Sequence, residues 1–168
     1  MKYKVLWIED GARSEVSSFA GAVFTSMKYD LEVVLDVSDA VRKILNAEYD
    51  AVIVDIRIVP GSASKWKNLY SQVGKDKDNA RLGMHLLFSL LKPDQAAVEL
   101  ENIPSWILPK RFGVFTVEGK GEVKDELEEL GVNFYLQKQT NLPHTALLDF
   151  IEKIINTSVG NHQKGGIE

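Results

Sequence analysis

Four of five short apolar runs in this sequence end in side chains that could share one chemical task. They are Glu9 and Asp10 after the first run, Asp55 in the third, Thr116 in the fourth and Lys138 after the fifth. If they converge, three carboxylates outweigh one ammonium, and the excess negative charge raises the pKa of a carboxyl group unless a cation binds. A hard divalent ion such as Mg²⁺ takes oxygen ligands and would balance this charge. Such a site suits an incoming phosphoryl group, with one carboxylate as the nucleophile.

The five apolar runs predict the strands that position these groups. They lie at residues 5–8, 31–35, 51–56, 112–117 and 132–137. Because the runs are apolar on both faces, they are typical of parallel strands. Longer runs with helical periodicity alternate with them, which indicates an α/β protein with right-handed crossovers and helices on both faces of the sheet. In such a sheet ligands bind outside the carboxyl ends of the strands, where the five side chains are expected.

The helices are predicted from apolar stripes and end signals. The first starts near Arg13 or Ser14 and carries an apolar stripe from Val16 to Met27, and the second has Ser38 as its N-cap and runs to about residue 45. A third helix covers about 80–92, and a fourth covers about 123–130 with Gly131 at its C-terminal end. The last helix starts at about 141–143, with Pro143 in its first turn, and runs to about 155.

Two stretches interrupt this alternation. Residues 59–80 are polar and are interpreted as a solvated loop or, alternatively, as a lid or partner surface around exposed Trp66 and Tyr70. Residues 93–111 contain three prolines, which disfavour a continuous helix. The predicted organisation is one domain over 1–157 with insertions at about 59–80 and 93–111, followed by a flexible tail at 158–168.

Composition narrows the function classes. The chain has 168 residues and a formal net charge of −4, which gives no general attraction to nucleic acid or to an anionic membrane. It has no cysteine, so a disulfide scaffold, a thiolate metal site and a cysteine nucleophile are excluded. With no signal peptide and no long apolar stretch in view, we expect a cytoplasmic protein that binds neither nucleic acid directly nor a membrane.

The strand ends resemble those of the receiver (REC) domain of two-component response regulators. The resemblance rests on the segments VLWIED, YDAVIVD, FGVFTV and ELEELGVNFYLQKQ, which cover most of the chain together with the helices between them. It implies a flavodoxin-like (CheY-like) α/β fold, a doubly wound five-stranded parallel sheet with strand order 2-1-3-4-5.

The resemblance also implies roles for particular residues. Asp55 corresponds to the phosphoacceptor, and Thr116 and Lys138 correspond to the hydroxyl and lysine that act with it. The metal, Mg²⁺ or Mn²⁺, would be held by Glu9, Asp10, Asp55 and the backbone carbonyl of Arg57. Thr116 and Tyr135 correspond to the switch residues. The implied partners are a sensor histidine kinase or a phosphotransfer protein, with an unknown downstream effector, and a homodimer is left open. The domain would be no enzyme beyond its own phosphotransfer and autodephosphorylation.

The chain departs from the family pattern at several positions. Asp55 and Thr116 are 61 positions apart, about twice the usual interval. Gln139 replaces a proline that usually follows the lysine in a cis bond, so the Lys138–Gln139 bond is either trans, with a rearranged loop, or strained. Val117 replaces a small residue, and its bulk would narrow the path to the site.

Two alternatives stay open beside a phosphorylated receiver. The departures at Val117 and Gln139 and the long insertion favour a pseudo-receiver that binds a partner without phosphorylation. A phosphatase or phosphotransferase with an aspartate nucleophile is disfavoured, because such enzymes typically need a second acid where Arg57 stands. Arg57 and Glu118 are expected to pair across the mouth of the site and to hinder water that attacks the phosphorylated residue.

Overall fold

A five-stranded parallel sheet forms the centre of the fold in a computed structural model that describes residues 1–11 and 17–160. The strands are β1 (Tyr3–Ile8), β2 (Tyr29–Val34), β3 (Ala51–Val54), β4 (Phe112–Thr116) and β5 (Phe134–Gln137). Their order across the sheet is β2-β1-β3-β4-β5, and every pairing is parallel. The predicted flavodoxin-like fold with strand order 2-1-3-4-5 is therefore confirmed.

Helices cover both faces of the sheet. In the described residues they are α1 (Ser17–Thr25), α2 (Val37–Asn46), α3 (Ser64–Val73), α4 (Lys77–Ala80), α5 (Leu82–Leu91), α6 (Lys120–Leu130) and α7 (Ala146–Gly160). Alternate residues of a strand face opposite sides of the sheet. Leu6 and Ile8 of β1 accordingly pack with α2, α3, α5 and α6, whereas Val5 and Trp7 pack with α1 and α7.

Two predicted helix starts are wrong. The N-cap of α2 is Asp36, not Ser38, because the carboxylate of Asp36 accepts the N–H of Asp39 at 2.8 Å while the hydroxyl of Ser38 donates to the carbonyl of Pro60. Helix α7 begins at Ala146. Pro143 lies in the turn before it, where its carbonyl accepts the N–H of Ala146 at 2.9 Å. At α6 the prediction is confirmed, since Gly131 ends the helix with a left-handed φ of 74°.

The first insertion is helical, so the predicted solvated loop is wrong. The alternative, a lid or partner surface around Trp66 and Tyr70, assumed that Trp66 is exposed, and that assumption is wrong because Trp66 is 2% exposed. Trp66, Leu69 and Tyr70 follow helical spacing, and in α3 they present one face to the core. The second insertion, 93–111, contains only two 3₁₀ turns, Pro93–Gln95 and Pro109–Arg111, so the prediction of no continuous helix there is confirmed.

Some predictions concern residues near the ends of the described segments. The expected start of the first helix near Arg13 or Ser14, and Val16 in its stripe, lie outside the described residues. Helix α1 ends at Thr25, before Met27. Helix α7 continues to Gly160, past the predicted start of the tail at Ser158. In the described part of the chain, no helix is both long enough and apolar enough to cross a bilayer.

Candidate functional site

The carboxyl ends of β1 and β3 lie side by side and place their acidic residues together. Ile8 pairs with Val54 in the register of the two strands, and the N–H of Asp55 donates to the carbonyl of Ile8 at 3.1 Å. The N–H of Glu9 donates to the carbonyl of Val34 at 2.9 Å on the other side of β1. Backbone hydrogen bonds therefore hold Glu9 and Asp55 at the same edge of the sheet.

Three carboxylates and one ammonium meet at this edge, and we call them the acidic cluster: Glu9, Asp10, Asp55 and Lys138. One oxygen from each carboxylate lies within 4.8 Å of the others. Glu9 is 2% exposed and Asp55 4%, whereas Asp10 is half-buried. Lys138 Nζ lies 2.8 Å from Asp55 Oδ2 and also contacts the carboxylate of Glu9. Four of the five predicted side chains are thus in one cluster.

The cluster carries more negative than positive charge. Burial and the charge of Asp55 raise the pKa of Glu9 to about 7, although Lys138 and the N–H of Gly11 act in the opposite direction. Burial alone would lower the pKa of Lys138, but the charges of Asp55 and Glu9 outweigh burial and raise it. Lys138 therefore stays an ammonium, and one cation cannot balance the three carboxylates.

Thr116 is the last residue of β4 and is completely buried next to this cluster. Its carbonyl accepts the N–H of Lys138 at 2.7 Å. Its hydroxyl accepts the N–H of Glu118 at 3.4 Å, and no hydrogen bond in the described part of the chain joins it to Asp55. Thr116 is therefore adjacent to the cluster through the backbone of Lys138.

A second charged group lies at the rim of the site. We call it the arginine cluster: Arg57, Arg81, Glu118 and Glu126. Glu118 is 3% exposed, and its carboxylate lies 2.8 Å from Arg81 Nε and 3.4 Å from Arg57 Nε. Arg81 Nη2 lies 2.8 Å from Glu126. The expected pairing of Arg57 with Glu118 is confirmed, while Arg81 was not predicted to take part.

Two contacts connect the arginine cluster to the predicted site residues. The N–H of Arg57 donates to Asp55 Oδ1 at 3.2 Å. The hydroxyl of Tyr135, which is half-buried in β5, donates to the carbonyl of Glu118 at 2.5 Å. Asp55 and Tyr135 are thus hydrogen-bonded to backbone atoms of two different residues of this cluster, Arg57 and Glu118.

The sequence analysis missed Lys77 as a site residue. Its Nζ lies 3.0 Å from Asp10 Oδ2, and this hydrogen bond raises the pKa of Lys77. The sequence shows Lys77 as one of several basic residues in a polar insertion. No rule of sequence spacing identifies which of these lysines contacts Asp10, because that contact depends on how the insertion folds.

Gly83 was also missed, although it determines how closely α5 approaches Asp55. A Cβ atom at Gly83 would overlap the carbonyl oxygen of Asp55. The N–H of Gly83 donates to the carbonyl of Ile56 at 3.0 Å, which holds the start of α5 against the end of β3. A glycine next to an apolar helical stripe is a signal of close backbone approach.

The departures from the receiver pattern have structural outcomes. The Lys138–Gln139 bond is trans, since none of the described residues forms a cis peptide bond. Val117 is 47% exposed. Its side chain therefore faces solvent, and its expected effect on access to the site stays a prediction.

The oxygen donors of the acidic cluster fit a hard divalent cation. Carboxylates are the ligands that such ions prefer, and a dication would remove the excess negative charge. With a cation bound, the cluster could accept an anionic group with Lys138 beside it. This arrangement is therefore suited to bind a metal ion and, through the ion, a phosphate or a similar oxyanion.

No protein-family model matches the sequence, and no curated protein matches it. Solved structures are similar. A CheY-like response regulator receiver domain protein from Methanospirillum hungatei JF-1 is 15% identical with a TM-score of 0.60, over 99% of this chain and 100% of that one. The receiver domain of a Francisella response regulator is 18% identical with a TM-score of 0.59, over 94% and 99%.

A third similar structure is the receiver domain of a sensor histidine kinase from Pseudomonas aeruginosa PAO1. It is 18% identical with a TM-score of 0.52, over 93% of this chain and 99% of that one, and it has a magnesium ion coordinated in its active site cleft. This chain therefore has the fold of response regulator receiver domains over nearly its whole length. Because a fold hosts several functions, function has to be argued from the site.

Proposed function

We propose that this chain is a receiver domain that is phosphorylated on Asp55 in a Mg²⁺-dependent reaction, and that phosphorylation switches a partner-binding surface. The observation that supports this most is the position of Asp55 in the acidic cluster. Asp55 is buried beside Glu9 and Asp10, and Lys138 contacts both Asp55 and Glu9. A nucleophile, a cation-binding pair and a fixed ammonium are the groups that phosphoryl transfer to a carboxylate requires.

In this proposal an oxygen of Asp55 attacks the phosphorus of a phosphohistidine or of an acyl phosphate. The new P–O bond forms as the bond to the donor breaks, and the imidazole or carboxylate of the donor leaves with that electron pair. The N–H of Arg57 holds Oδ1 of Asp55 and Lys138 holds Oδ2, so the carboxylate is oriented before the donor arrives. Lys138 then remains beside the oxygens of the transferred group.

Glu9, Asp10 and Asp55, with the carbonyl of Arg57, would hold the Mg²⁺ or Mn²⁺ ion. When bound, the ion would neutralise negative charge on the phosphoryl oxygens. Glu9 would bind the ion as a carboxylate, and one cationic group, Lys138, already contacts it. The magnesium ion in the similar Pseudomonas receiver domain supports this part of the proposal.

The switch would run from Asp55 to β5. A phosphoryl group adds about −1.5 to −2 charge next to Lys138 and Thr116. The buried hydroxyl of Thr116 would turn from the N–H of Glu118 towards the new oxygens, and this would disturb the hydrogen bond between Tyr135 and the carbonyl of Glu118. Tyr135 would then change position at the edge of the sheet, which is a population shift caused by one local charge.

Intact mass after incubation with acetyl phosphate and MgCl₂ tests the proposal. We expect one added phosphoryl group in the wild-type chain, no addition with EDTA, and no addition in Asp55→Asn, which keeps the size of the side chain but removes the nucleophile. Asp50→Asn is the matched control, because Asp50 precedes the same strand and caps the N–H of Lys4 at 2.8 Å, away from the acidic cluster. Unmodified wild-type protein in the presence of Mg²⁺ would refute the proposal.

A second candidate, a pseudo-receiver that binds its partner without phosphorylation, is favoured by one observation. Lys77 Nζ lies 3.0 Å from Asp10, so an ammonium contacts a carboxylate that the proposed metal needs. The same mass measurement separates the two functions. Wild-type protein that binds no Mg²⁺ and gains no phosphate would favour the pseudo-receiver.

The remaining predictions go with this proposal. The phosphodonor would be a sensor histidine kinase or a phosphotransfer protein, the site would do no chemistry on a separate substrate, and the chain would act in the cytoplasm as one receiver domain over 1–157.

A further inference from the structure

Helix α4 is a short piece of the first insertion that lies over the rim of the acidic cluster. It has four residues, and Asp76 caps it by accepting the N–H of Asn79 at 2.9 Å. Ala80 at its end is 1% exposed, and Arg81, the next residue, is held 2.8 Å from the buried carboxylate of Glu118. The C-terminal end of α4 is therefore anchored in the fold, and its first residue reaches the site.

Two ion pairs connect α4 to the site residues. Lys77 Nζ lies 3.0 Å from Asp10 Oδ2, and Asp78 Oδ1 lies 3.7 Å from Arg57 Nη1. The partners are 67 and 21 positions apart in the sequence, so these contacts exist only because the insertion folds over the strand ends. The side chain of Lys77 is 47% exposed and that of Asp10 is 18% exposed, so Lys77 can leave without opening the core.

Lys77 and a divalent cation would both bind the carboxylate of Asp10. With Lys77 and Lys138 in place, two ammonium groups face three carboxylates and leave one negative charge. Addition of a dication without any departure would leave one positive charge, and both cations would compete for the oxygens of Asp10. Because Lys138 contacts two buried carboxylates and Lys77 contacts one half-buried carboxylate, Lys77 is the group that yields.

We propose that Lys77 is an intrinsic competitor of the metal ion: it binds Asp10 when the site holds no ion, and ion binding releases it together with the N-terminal end of α4. The inference rests on the metal site of the proposed function and goes beyond it, because it makes the insertion a device that links ion occupancy to the surface around α4. The insertion then sets the ion concentration at which the site becomes competent, and it changes its own exposure when the ion binds.

The effect on affinity is expected to be modest. A partly exposed ion pair contributes little, so loss of the competitor should tighten Mg²⁺ binding by about two- to fivefold. The effect should shrink at high salt, because screening weakens the pair between Lys77 and Asp10.

Calorimetric titration with MgCl₂ at constant ionic strength tests the competition. Lys77→Gln removes the charge, Lys77→Arg keeps it, and Lys75→Gln makes the same charge change at an exposed lysine of the same insertion that forms no ion pair with another described residue. We expect tighter binding in Lys77→Gln alone, with Lys77→Arg and Lys75→Gln close to the wild type. Equal affinity in Lys77→Gln, Lys75→Gln and the wild type would overturn the inference.

Hydrogen exchange of residues 75–81 provides a readout of the release that is independent of affinity. In the wild type, MgCl₂ should accelerate exchange at the N–H groups of Ala80 and Arg81, which bond within α4. In Lys77→Gln, exchange should be fast already and insensitive to Mg²⁺. Slower exchange in the wild type with Mg²⁺ would contradict release.

The design separates failure of this inference from failure of the proposed function. If the wild type binds Mg²⁺ and Lys77→Gln binds it no better, the inference fails and the proposed metal site stands. If neither binds Mg²⁺, the metal site of the proposed function fails, and the inference fails with it. Binding by Lys77→Gln alone would support competition strong enough to exclude the ion from the wild type.

Discussion

The acidic cluster and the arginine cluster each bury one glutamate almost completely, but they treat its charge differently. Glu9 is 2% exposed and shares a single ammonium with Asp55, while Glu118 is 3% exposed and lies between two guanidinium groups. In the arginine cluster the buried carboxylate of Glu118 is paired with two guanidiniums, and their further acidic partners, Glu126 and Asp78, are more exposed. In the acidic cluster, burial and the charge of Asp55 raise the pKa of Glu9 to about 7, and Lys138 does not offset them.

This difference separates a binding site from a structural one. A buried carboxylate that neighbouring guanidiniums neutralise needs no external cation, and here Glu118 links the loop after β4 to Arg57 after β3 and to Arg81 at the start of α5. A buried excess of one sign lowers stability unless a ligand compensates for it, so such an excess indicates a ligand site. The predictions below test whether the acidic cluster depends on an external cation and the arginine cluster does not.

The largest effect is expected for Lys138→Met. Removal of the ammonium leaves Glu9 and Asp55 buried without a cation, and loss of one partner of a buried pair costs about 3–5 kcal/mol. Urea denaturation in EDTA should show this loss, and Mg²⁺ should restore part of it. Lys28→Met is the control, since Lys28 is 66% exposed and its pair with Glu152 contributes about 0–1 kcal/mol. If Lys138→Met were as stable as the wild type in EDTA, the claim that the acidic cluster holds excess negative charge would be contradicted.

Gly83→Ala should destabilise the packing of α5 against the end of β3, where the two clusters meet. The new Cβ would overlap the carbonyl oxygen of Asp55, so α5 must shift away from β3 at a cost of about 3 kcal/mol, the upper end for overpacking. Gly21→Ala in α1 is matched, because a Cβ there meets nothing within 4 Å and helix propensity favours alanine by about 1 kcal/mol. Thermal denaturation of both variants measures the contrast, and equal melting temperatures would show that the close approach at Gly83 is unimportant.

Glu118→Gln should weaken the arginine cluster. A buried carboxylate that binds two guanidiniums is expected to contribute about 1.5–3 kcal/mol, and the neutral amide loses most of it. Glu126→Gln removes a more exposed partner of the same Arg81 and should cost about 0–1 kcal/mol. Mg²⁺ should stabilise both variants as much as it stabilises the wild type. A larger Mg²⁺ effect in Glu118→Gln would mean that the two clusters share one charge balance.

The smallest effect concerns hydrolysis. Glu118→Ala removes the buried partner of Arg57 and leaves it only the exposed Asp78, so water should reach phosphorylated Asp55 more easily. Because a partly exposed pair contributes about 1 kcal/mol at most, we expect autodephosphorylation to accelerate by about fivefold or less. The decay of phosphorylated protein by intact mass measures this rate. An unchanged rate would remove the proposed barrier role of Arg57 and Glu118.

The same comparison shows what the sequence could predict. The strands, their parallel arrangement and the acidic cluster follow from apolar runs that end in Glu9, Asp55 and Lys138, because the ends of parallel strands meet at one edge. The position of Lys77 and the burial of Trp66 depend on how the insertion packs onto the core. No local pattern contains that information, and polar residues between Trp66, Leu69 and Tyr70 made a helix look like a loop.

The predicted starts of two helices were wrong for a related reason. Serine and proline often begin helices, which is why Ser38 and Pro143 were predicted to do so. In the structure the carboxylate of Asp36 accepts the N–H of Asp39 and caps α2 instead of Ser38, and Pro143 lies in the turn before α7. Arg81 escaped prediction because its partner Glu118 is 37 positions away and comes near only when α5 packs on the sheet.

Trapping of the modified residue decides where the phosphoryl group goes. Protein treated with acetyl phosphate and MgCl₂ is reduced with borohydride, which converts an aspartyl phosphate into homoserine, and is then digested with trypsin. Peptide 44–57 contains Asp55, and peptide 5–13 contains Glu9 and Asp10, so tandem mass spectrometry separates the candidates. We expect homoserine at position 55 alone, and only when Mg²⁺ is present. Reduction in peptide 5–13, or in neither peptide, would contradict the assignment of Asp55 as the phosphoacceptor.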